Sequence, residues 1–242
     1  MPKGIQTDEE RLKARQVREM FGAIASRYDL LNHLLSAGID LRWRKTCAIE
    51  VGRRLGRTDP RILDIGCGTG DLSMAFPGAA RVAGCDFCQP MLEIGRGKIR
   101  SAGRSGQITF LAADALMLPF ADRCFDAVVS AFVLRNLASR EQGLAEMRRV
   151  LRPGGVLGVL DFSMPTAPVV GAVYRFYFLR ILPRLGKVIS GVDGPYRYLP
   201  ESVDSFPGPA ELSREIGCAG FISVEYRLLL GGVAVLLLAS AG

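Results

Sequence analysis

The chain has 242 residues, 49% of them hydrophobic and 23% charged, with 31 basic against 24 acidic side chains and a formal net charge of +7. So apolar a chain offsets its ordering entropy by burial, which excludes disorder, and its length fits one globular domain over 1–242. Charge-free runs fall short of the roughly 20 residues that cross a bilayer, and the charged opening lacks the apolar core of a signal peptide; because the Arg residues are spread out rather than massed into a basic patch, a cytoplasmic protein with no nucleic-acid partner is expected.

Leu12, Val17, Met20, Phe21 and Ile24 recur at helical spacing and predict an amphipathic helix over 8–26. Residues 28–38 read as turn-rich, and a second helix covers 43–55. Segment 61–65 is a short apolar strand that breaks into Asp64-Ile65-Gly66-Cys67-Gly68-Thr69-Gly70, with a helix opening at Asp71. Strands over 81–86, 108–113, 125–132 and 156–162 then alternate with helices over 90–102 and 140–151. That rhythm predicts a mostly parallel α/β sheet with helices on both faces. Residues 165–209, rich in Tyr, Phe and Pro, interrupt it and read as a helical insertion over the sheet edge. A helix over 210–217 and strands over 221–229 and 232–239 bring the sheet to seven strands. The last strand is nearly all Val, Leu and Ala, as a central strand requires.

Six cysteines include one Cys-x-x-Cys, Cys85 and Cys88, but no second pair has matching spacing and the sole histidine is His33. Reduced thiols and no metal are expected. His33 itself reads as an ordinary helix-surface residue. One histidine also leaves little room for Ser-His-Asp or Cys-His chemistry.

The glycine loop follows a strand and opens a helix, where backbone N–H groups can approach a ligand closely. Dinucleotide loops carry Gly-x-Gly-x-x-Gly; here the third glycine falls one residue early and Asp71 takes its place. A carboxylate there would repel a pyrophosphate, whereas it suits S-adenosylmethionine, which has a sulfonium and an ammonium and no phosphate. Asp86, ending the second strand, can accept from both ribose hydroxyls. Asp114 and Ala115, after the third, are placed for the adenine. All lie at the carboxyl ends of parallel strands, where open α/β sheets bind ligands. The candidate cofactor set is Asp64, Gly66, Gly68, Thr69, Gly70, Asp86, Asp114 and Ala115. With Arg149-Val150-Leu151-Arg152-Pro153-Gly154-Gly155 before the fifth strand, this half of the chain resembles class I S-adenosylmethionine methyltransferases, with their Rossmann-like fold.

Three further motifs are more specific: Tyr28-Asp29-Leu30-Leu31-Asn32 followed by Ser36 and Trp43, Phe132-Val133-Leu134-Arg135-Asn136, and Tyr196-Arg197-Tyr198-Leu199-Pro200-Glu201-Ser202. With them the chain closely resembles the ubiquinone/menaquinone biosynthesis C-methyltransferase family from about Val17 onward. It departs from the family at Leu31, where Met is usual, at Asp40, where His is usual, and at Asp161, where Glu is usual. The resemblance implies methyl transfer from S-adenosylmethionine to a ring carbon of a polyprenylated hydroquinone, demethylmenaquinol or a ubiquinol precursor. It also implies an N-terminal helical substrate or lid region over 8–57 and acceptor coverage by 165–209. Arg135 and Asn136 are the catalytic candidates: a guanidinium stays protonated and can stabilise a phenolate. The alternative for Arg135 is a pairing with a nearby acid. Tyr28, Asp29, Asn32, Tyr196, Tyr198 and Glu201 are the substrate-binding candidates. The aromatics of 169–189, with Arg175, Arg180, Arg184 and Lys187, suit either core packing or transient contact with the inner face of the membrane. A homodimer is compatible with the sequence. A methyltransferase for another small apolar acceptor, or a non-catalytic cofactor-binding protein, would explain the glycine loop but not the three further motifs.

Overall fold

The computed structural model describes residues 7–165, 168–181 and 194–242. Strands β1 (Arg61–Ile65), β2 (Arg81–Asp86), β3 (Ile108–Ala112), β4 (Phe125–Ala131), β5 (Leu151–Phe162), β6 (Phe221–Leu229) and β7 (Ala234–Ala241) form one sheet in the order β3-β2-β1-β4-β5-β7-β6. β1 to β5 run parallel, and β7 lies antiparallel between β5 and β6. β1 and β4 are buried nearly end to end, without alternation, because both sheet faces are covered. The helices doing so are α2 (Ile39–Leu55), α3 (Asp71–Ala75) and α4 (Gln89–Ser101) on one face, and α5 (Arg140–Val150) and α8 (Pro209–Cys218) on the other. The expected mostly parallel, seven-stranded α/β architecture is the one observed.

The chain travels outward through β1, β2 and β3, then crosses back to place β4 on the other side of β1. That reversal opens a crevice at the carboxyl ends of β1 and β4, the place where such sheets take ligands. The glycine loop leaves β1 there. Its glycines Gly66, Gly68 and Gly70 have φ of 63°, 53° and 90°, a region L side chains rarely adopt. The loop rests on Phe110 of β3. A Cβ at Gly70, Gly84 or Gly95 would come within 2.6, 2.4 and 2.5 Å of that ring, so three glycines shape its niche.

Two predicted boundaries need correction. Residues 28–35 are not a turn but the last two turns of α1 (Asp8–Leu35), 28 residues long. No Gly or Pro occurs between Gly22 and Gly38, and the chain breaks only at Ala37 and Gly38, both in the left-handed region. β5 begins five residues earlier than predicted, and its Arg-Pro-Gly-Gly segment is absorbed as an irregularity in pairing with β4. Among the described residues the insertion is helical as expected: α6 (Pro168–Phe176), a wider π-type turn at Tyr177–Ile181, and α7 (Gly194–Asp204). Arg184 and Lys187 lie outside the described residues, as does the side chain of Tyr196.

Candidate active site

At the crevice the glycine loop is pinned from below: Cys67 N–H donates to Cys85 O at 3.0 Å. Gly68 N–H donates to Asp86 Oδ2 at 2.9 Å, and Cys88 N–H to Asp86 Oδ1 at 2.8 Å. Burial pushes the Asp86 carboxyl up, and the backbone N–H groups at its oxygens oppose that. Asp64 is 1% exposed and accepts from Ser73 Oγ at 2.6 Å. Burial raises its carboxyl to about 7, aided by the nearby Asp86 charge and opposed by Ser73 and Arg44. Asp64, Gly66, Gly68, Thr69 and Asp71, with Tyr28 and Arg44, line a cavity of about 30 Å³.

Of the sequence candidates for the cofactor, Asp64, Gly66, Gly68 and Thr69 line this cavity and Asp86 holds the loop from behind through Gly68 N–H, whereas Gly70, Asp114 and Ala115 do not border it. Gly70 lies behind the cavity as the N-cap of α3. Asp114 is exposed at the end of β3, where it accepts from Leu116 N–H at 2.9 Å, with Ala115 beside it; neither lines this cavity, although β3 is the immediate neighbour of β2.

Next to this cavity lies a larger one of about 320 Å³, at the small end of the range for ligand pockets. Its wall is mostly apolar: α1 supplies Phe21 and Ile24, α2 supplies Trp43, and Phe132, Phe162 and Phe178 close it. The Phe132 and Phe162 rings lie 4.6 Å apart between centroids. Two guanidinium groups face these rings, Arg44 at 4.9 Å from Phe132 and Arg135 at 5.3 Å from Phe162. Each is tied to a buried carboxylate. Arg44 Nη1 donates to Asp40 Oδ2 at 2.6 Å, and Arg135 Nη1 to Asp161 Oδ1 at 2.7 Å. Burial pushes the Asp161 carboxyl up against the opposing pull of Arg135. Arg135 thus pairs with an acid, the alternative the sequence offered, and also lines the cavity.

Tyr28 and Arg44 line both cavities, so the two spaces abut at those residues. Asn32 and Tyr198 line the larger one as well. Asn136 sits one layer back, its Oδ1 accepting from Tyr198 Oη at 3.1 Å. Asp29 does not line the larger cavity. Its carboxylate accepts from Thr69 Oγ1 at 2.6 Å and from Lys98 Nζ at 2.9 Å, which ties α1 to the glycine loop and α4. Glu201 is exposed on α7 and lines neither cavity.

His33 is not an ordinary surface residue. Its side chain is 29% exposed and Nδ1 lies 3.0 Å from Asp40 Oδ2. Sequence reading singled out none of Arg44, Asp40 and Lys98 as site residues. They carry no local motif, and only tertiary packing brings them to the crevice. The cysteines are unpaired thiols, with Cys85 in the core under α5 and Cys88 in a separate cluster with Ala25 and Met91.

In the aromatic insertion, Tyr174, Tyr177 and Phe178 line the larger cavity, while Phe176 is 63% exposed. Arg175 pairs with Asp204 at 3.3 Å. No helix among the described residues is long and apolar enough to cross a membrane.

A demethylmenaquinone methyltransferase of Thermus thermophilus is 52% identical over 221 residues, 90% of this chain and 97% of the relative. A ubiquinone/menaquinone biosynthesis C-methyltransferase of Geobacter sp. is 42% identical over 92% of this chain and 94% of its own. Among solved structures, the cyclase SpnF superposes with a TM-score of 0.68 at 18% identity, covering 94% of this chain and 96% of that one. A SAM dependent methyltransferase from Aquifex aeolicus superposes at 0.58 and 19% identity, covering 81% and 89%. These two carry the fold alone, since one architecture hosts different chemistries. Residues 9–240 match a single family model, and by that match and these identities the chain belongs to the ubiE/COQ5 methyltransferase family.

Proposed function

We propose that this S-adenosylmethionine-dependent enzyme methylates a ring carbon of a polyprenylated hydroquinone, demethylmenaquinol or a ubiquinol precursor, in respiratory quinone biosynthesis. The observation that carries the reading is the pair of abutting cavities. The small one is lined by glycine backbone and carboxylates, and the large one by aromatic rings and two Arg–Asp pairs. The names of the relatives point the same way.

The small cavity, about one water molecule in volume, suits the charged end of a cationic donor and not the whole of it. Asp64 and Asp71 border it, and Asp71 stands at the first turn of α3, where a phosphate would otherwise be favoured. When bound, S-adenosylmethionine supplies an electrophilic methyl group on sulfur. Asp64, Thr69 and the loop backbone hold its amino-acid end, while Asp86, Asp114 and Ala115 serve the nucleoside. Tyr28 and Arg44 would form the boundary across which the methyl group is transferred: the sulfur–methyl bond breaks as the ring carbon–methyl bond forms, S-adenosylhomocysteine is left, and the substituted ring carbon gives up its proton to water.

The acceptor must be the reduced ring. A quinone carbon is electron-poor, whereas a hydroquinone, and above all its phenolate, pushes electron density onto the adjacent carbon. A phenol ionises near pH 10, so a fixed positive charge beside the oxygen lowers the barrier. Arg135 supplies that charge, and Asp161 fixes its direction. Phe132, Phe162 and Trp43 sandwich the ring and exclude water, and positioning supplies much of the rest. Asn136 acts through Tyr198, holding it toward the ring. Asp29 acts on the cofactor side, at Thr69 and Lys98. No metal takes part. The cavity accommodates the ring rather than a long prenyl tail, so the tail leaves past the insertion. Exposed Phe176 and the net positive charge support transient contact with the inner face of the membrane by a cytoplasmic protein.

Anaerobic incubation with S-adenosylmethionine and a short-prenyl demethylnaphthohydroquinone tests the reading. The expected product is the ring-methylated quinol, with none from the oxidised quinone. Methylation of oxygen instead of carbon, or no product at all, would overturn it.

A further inference from the structure

The walls of the two cavities are joined by a run of polar side chains whose middle member is His33. On one side, Asp40 lines the acceptor cavity and accepts from Ser36 Oγ at 2.7 Å and from Arg44. On the other, Asp71 lines the cofactor cavity and pairs with Lys98, which continues to Asp29 and Thr69. The imidazole spans the gap, with Nδ1 at 3.0 Å from Asp40 Oδ2 and Nε2 at 3.6 Å from Asp71 Oδ2. The Asp40 and Asp71 side chains are 5% and 9% exposed. Asp40 also holds Ser36 and Arg44, and Asp71 also holds Lys98, so a displacement passed through the imidazole carries these partners with it. The ligating atoms of Asp29, His33 and Asp71 lie within 4.8 Å of one another, but Lys98 Nζ already provides the cation between the two carboxylates.

The members come from four elements. Asp29 and His33 are on α1, Asp40 and Arg44 on α2, Asp71 on α3 and Lys98 on α4. α1 and α2 meet at the left-handed pair Ala37 and Gly38. Apolar packing seats α2 on the sheet through Trp43, Cys47 and Val51 and seats α1 against α4 through Ala25 and Met91, and the polar run adds a direct link from both helices to the glycine loop at the crevice. Arg44 borders both cavities, so a shift of Asp40 moves a charge at the boundary.

We propose that His33 is a positioning residue that couples the two sites: by holding Asp40 to Asp71, it makes occupation of the cofactor cavity set the acceptor wall, and the reverse. The inference rests on the methyltransferase reading above. A wall already held in its binding geometry by one ligand costs less to order for the other, so the two ligands tighten one another, and by the same factor each way because coupling between sites is reciprocal.

Calorimetry on the full chain tests this with S-adenosylhomocysteine and reduced 2-methyl-1,4-naphthohydroquinone, a non-reacting pair. In the unmodified protein the naphthohydroquinone tightens S-adenosylhomocysteine binding by about tenfold, within the usual range for such coupling. In His33→Gln each ligand alone binds within about threefold of the original, while the mutual effect falls below about twofold. His33→Lys, whose ammonium can meet both carboxylates, keeps the mutual effect that His33→Gln abolishes. A residue that merely stabilised the fold would weaken both ligands without removing their mutual effect, and His33→Lys would rescue nothing. Undiminished coupling in His33→Gln overturns the proposal, as does independent binding of the two ligands to the unmodified protein. If His33→Gln does not fold, His33→Ala takes its place: coupling kept in a folded His33→Ala refutes the proposal, and coupling lost there but kept in His33→Lys supports it. Failure of the unmodified protein to bind S-adenosylhomocysteine would instead reject the underlying function, and this inference with it.

Discussion

Arg135 and Asp161 form an ion pair at 2.7 Å in which the carboxylate is fully buried and the guanidinium still faces the acceptor cavity. Only one edge of each group is used: Arg135 Nε and Asp161 Oδ2 have no hydrogen-bond partner. Asp161 thus orients the guanidinium without consuming its capacity to donate. Replacing Arg135 by Lys keeps a charge but loses the planar fork. Methyl transfer should fall about 10²- to 10³-fold, as when an oxyanion donor is removed, while calorimetry should give cofactor affinity within about twofold of the original. Asp161→Asn leaves a buried guanidinium unpaired, and breaking such a pair costs about 3–5 kcal/mol in urea unfolding. Turnover unchanged in both variants would remove the pair from the mechanism.

Asp64 makes cofactor binding depend on pH. Its carboxyl is raised to about 7, first by burial and then by the charge of Asp86. The folded protein binds this proton more tightly than the unfolded chain. The corresponding stability is therefore complete below the unfolded pKa and is lost as pH rises through about 7. A cationic ligand prefers the ionised form, so S-adenosylmethionine affinity should rise across the same window, by about tenfold per pH unit below the pKa. Asp64→Asn should flatten both profiles. Calorimetric titration and urea midpoints at a series of pH values check the two slopes, and a slope that survives the substitution would contradict this assignment.

Phe110 reverses an ordinary helix rule. In an exposed helix, Gly→Ala stabilises by about 1 kcal/mol. At Gly95 of α4 the new methyl group would lie 2.5 Å from the Phe110 ring and 3.1 Å from the Thr69 carbonyl carbon. Gly95→Ala should instead destabilise by about 1–3 kcal/mol, as overpacking does, and should weaken cofactor binding by displacing the loop. Urea denaturation and calorimetry measure the two effects. A more stable Gly95→Ala protein would show that the niche yields freely.

The membrane contact can be read by flotation with anionic phospholipid vesicles. Binding should fall as salt is added, because charge attraction is screened. Phe176→Ser should weaken it by about tenfold, the loss expected for one aromatic side chain withdrawn from an apolar phase. Equal flotation with neutral and anionic vesicles would mean that the basic surplus plays no part.

The sheet was legible because its strands announce themselves as short apolar runs and its glycine loop as a break between one of them and a helix. The end of α1 was not. Tyr28, Asp29, Asn32 and His33 are weak helix formers that read as a turn. They stay helical because Asp29 reaches Thr69 and Lys98, 40 and 69 residues away, and His33 meets Asp40 around a corner. No local pattern records such partners. For the same reason the motifs located Arg135 and Tyr198 at the acceptor cavity, whereas Arg44, which borders both cavities, escaped notice in a helix whose spacing explains it as ordinary.

The antiparallel β7 is wedged between β5 and β6, and seven of its eight residues are buried. A truncated chain ending before Ala234 would hold a finished crevice on one side and, on the other, an unclosed flank of β5 whose stretch from Val156 to Leu160 is wholly apolar or glycine. Such a flank is a template for misassembly with other copies, so proteolysis or premature termination near the carboxyl end should produce insoluble material rather than a weakened enzyme.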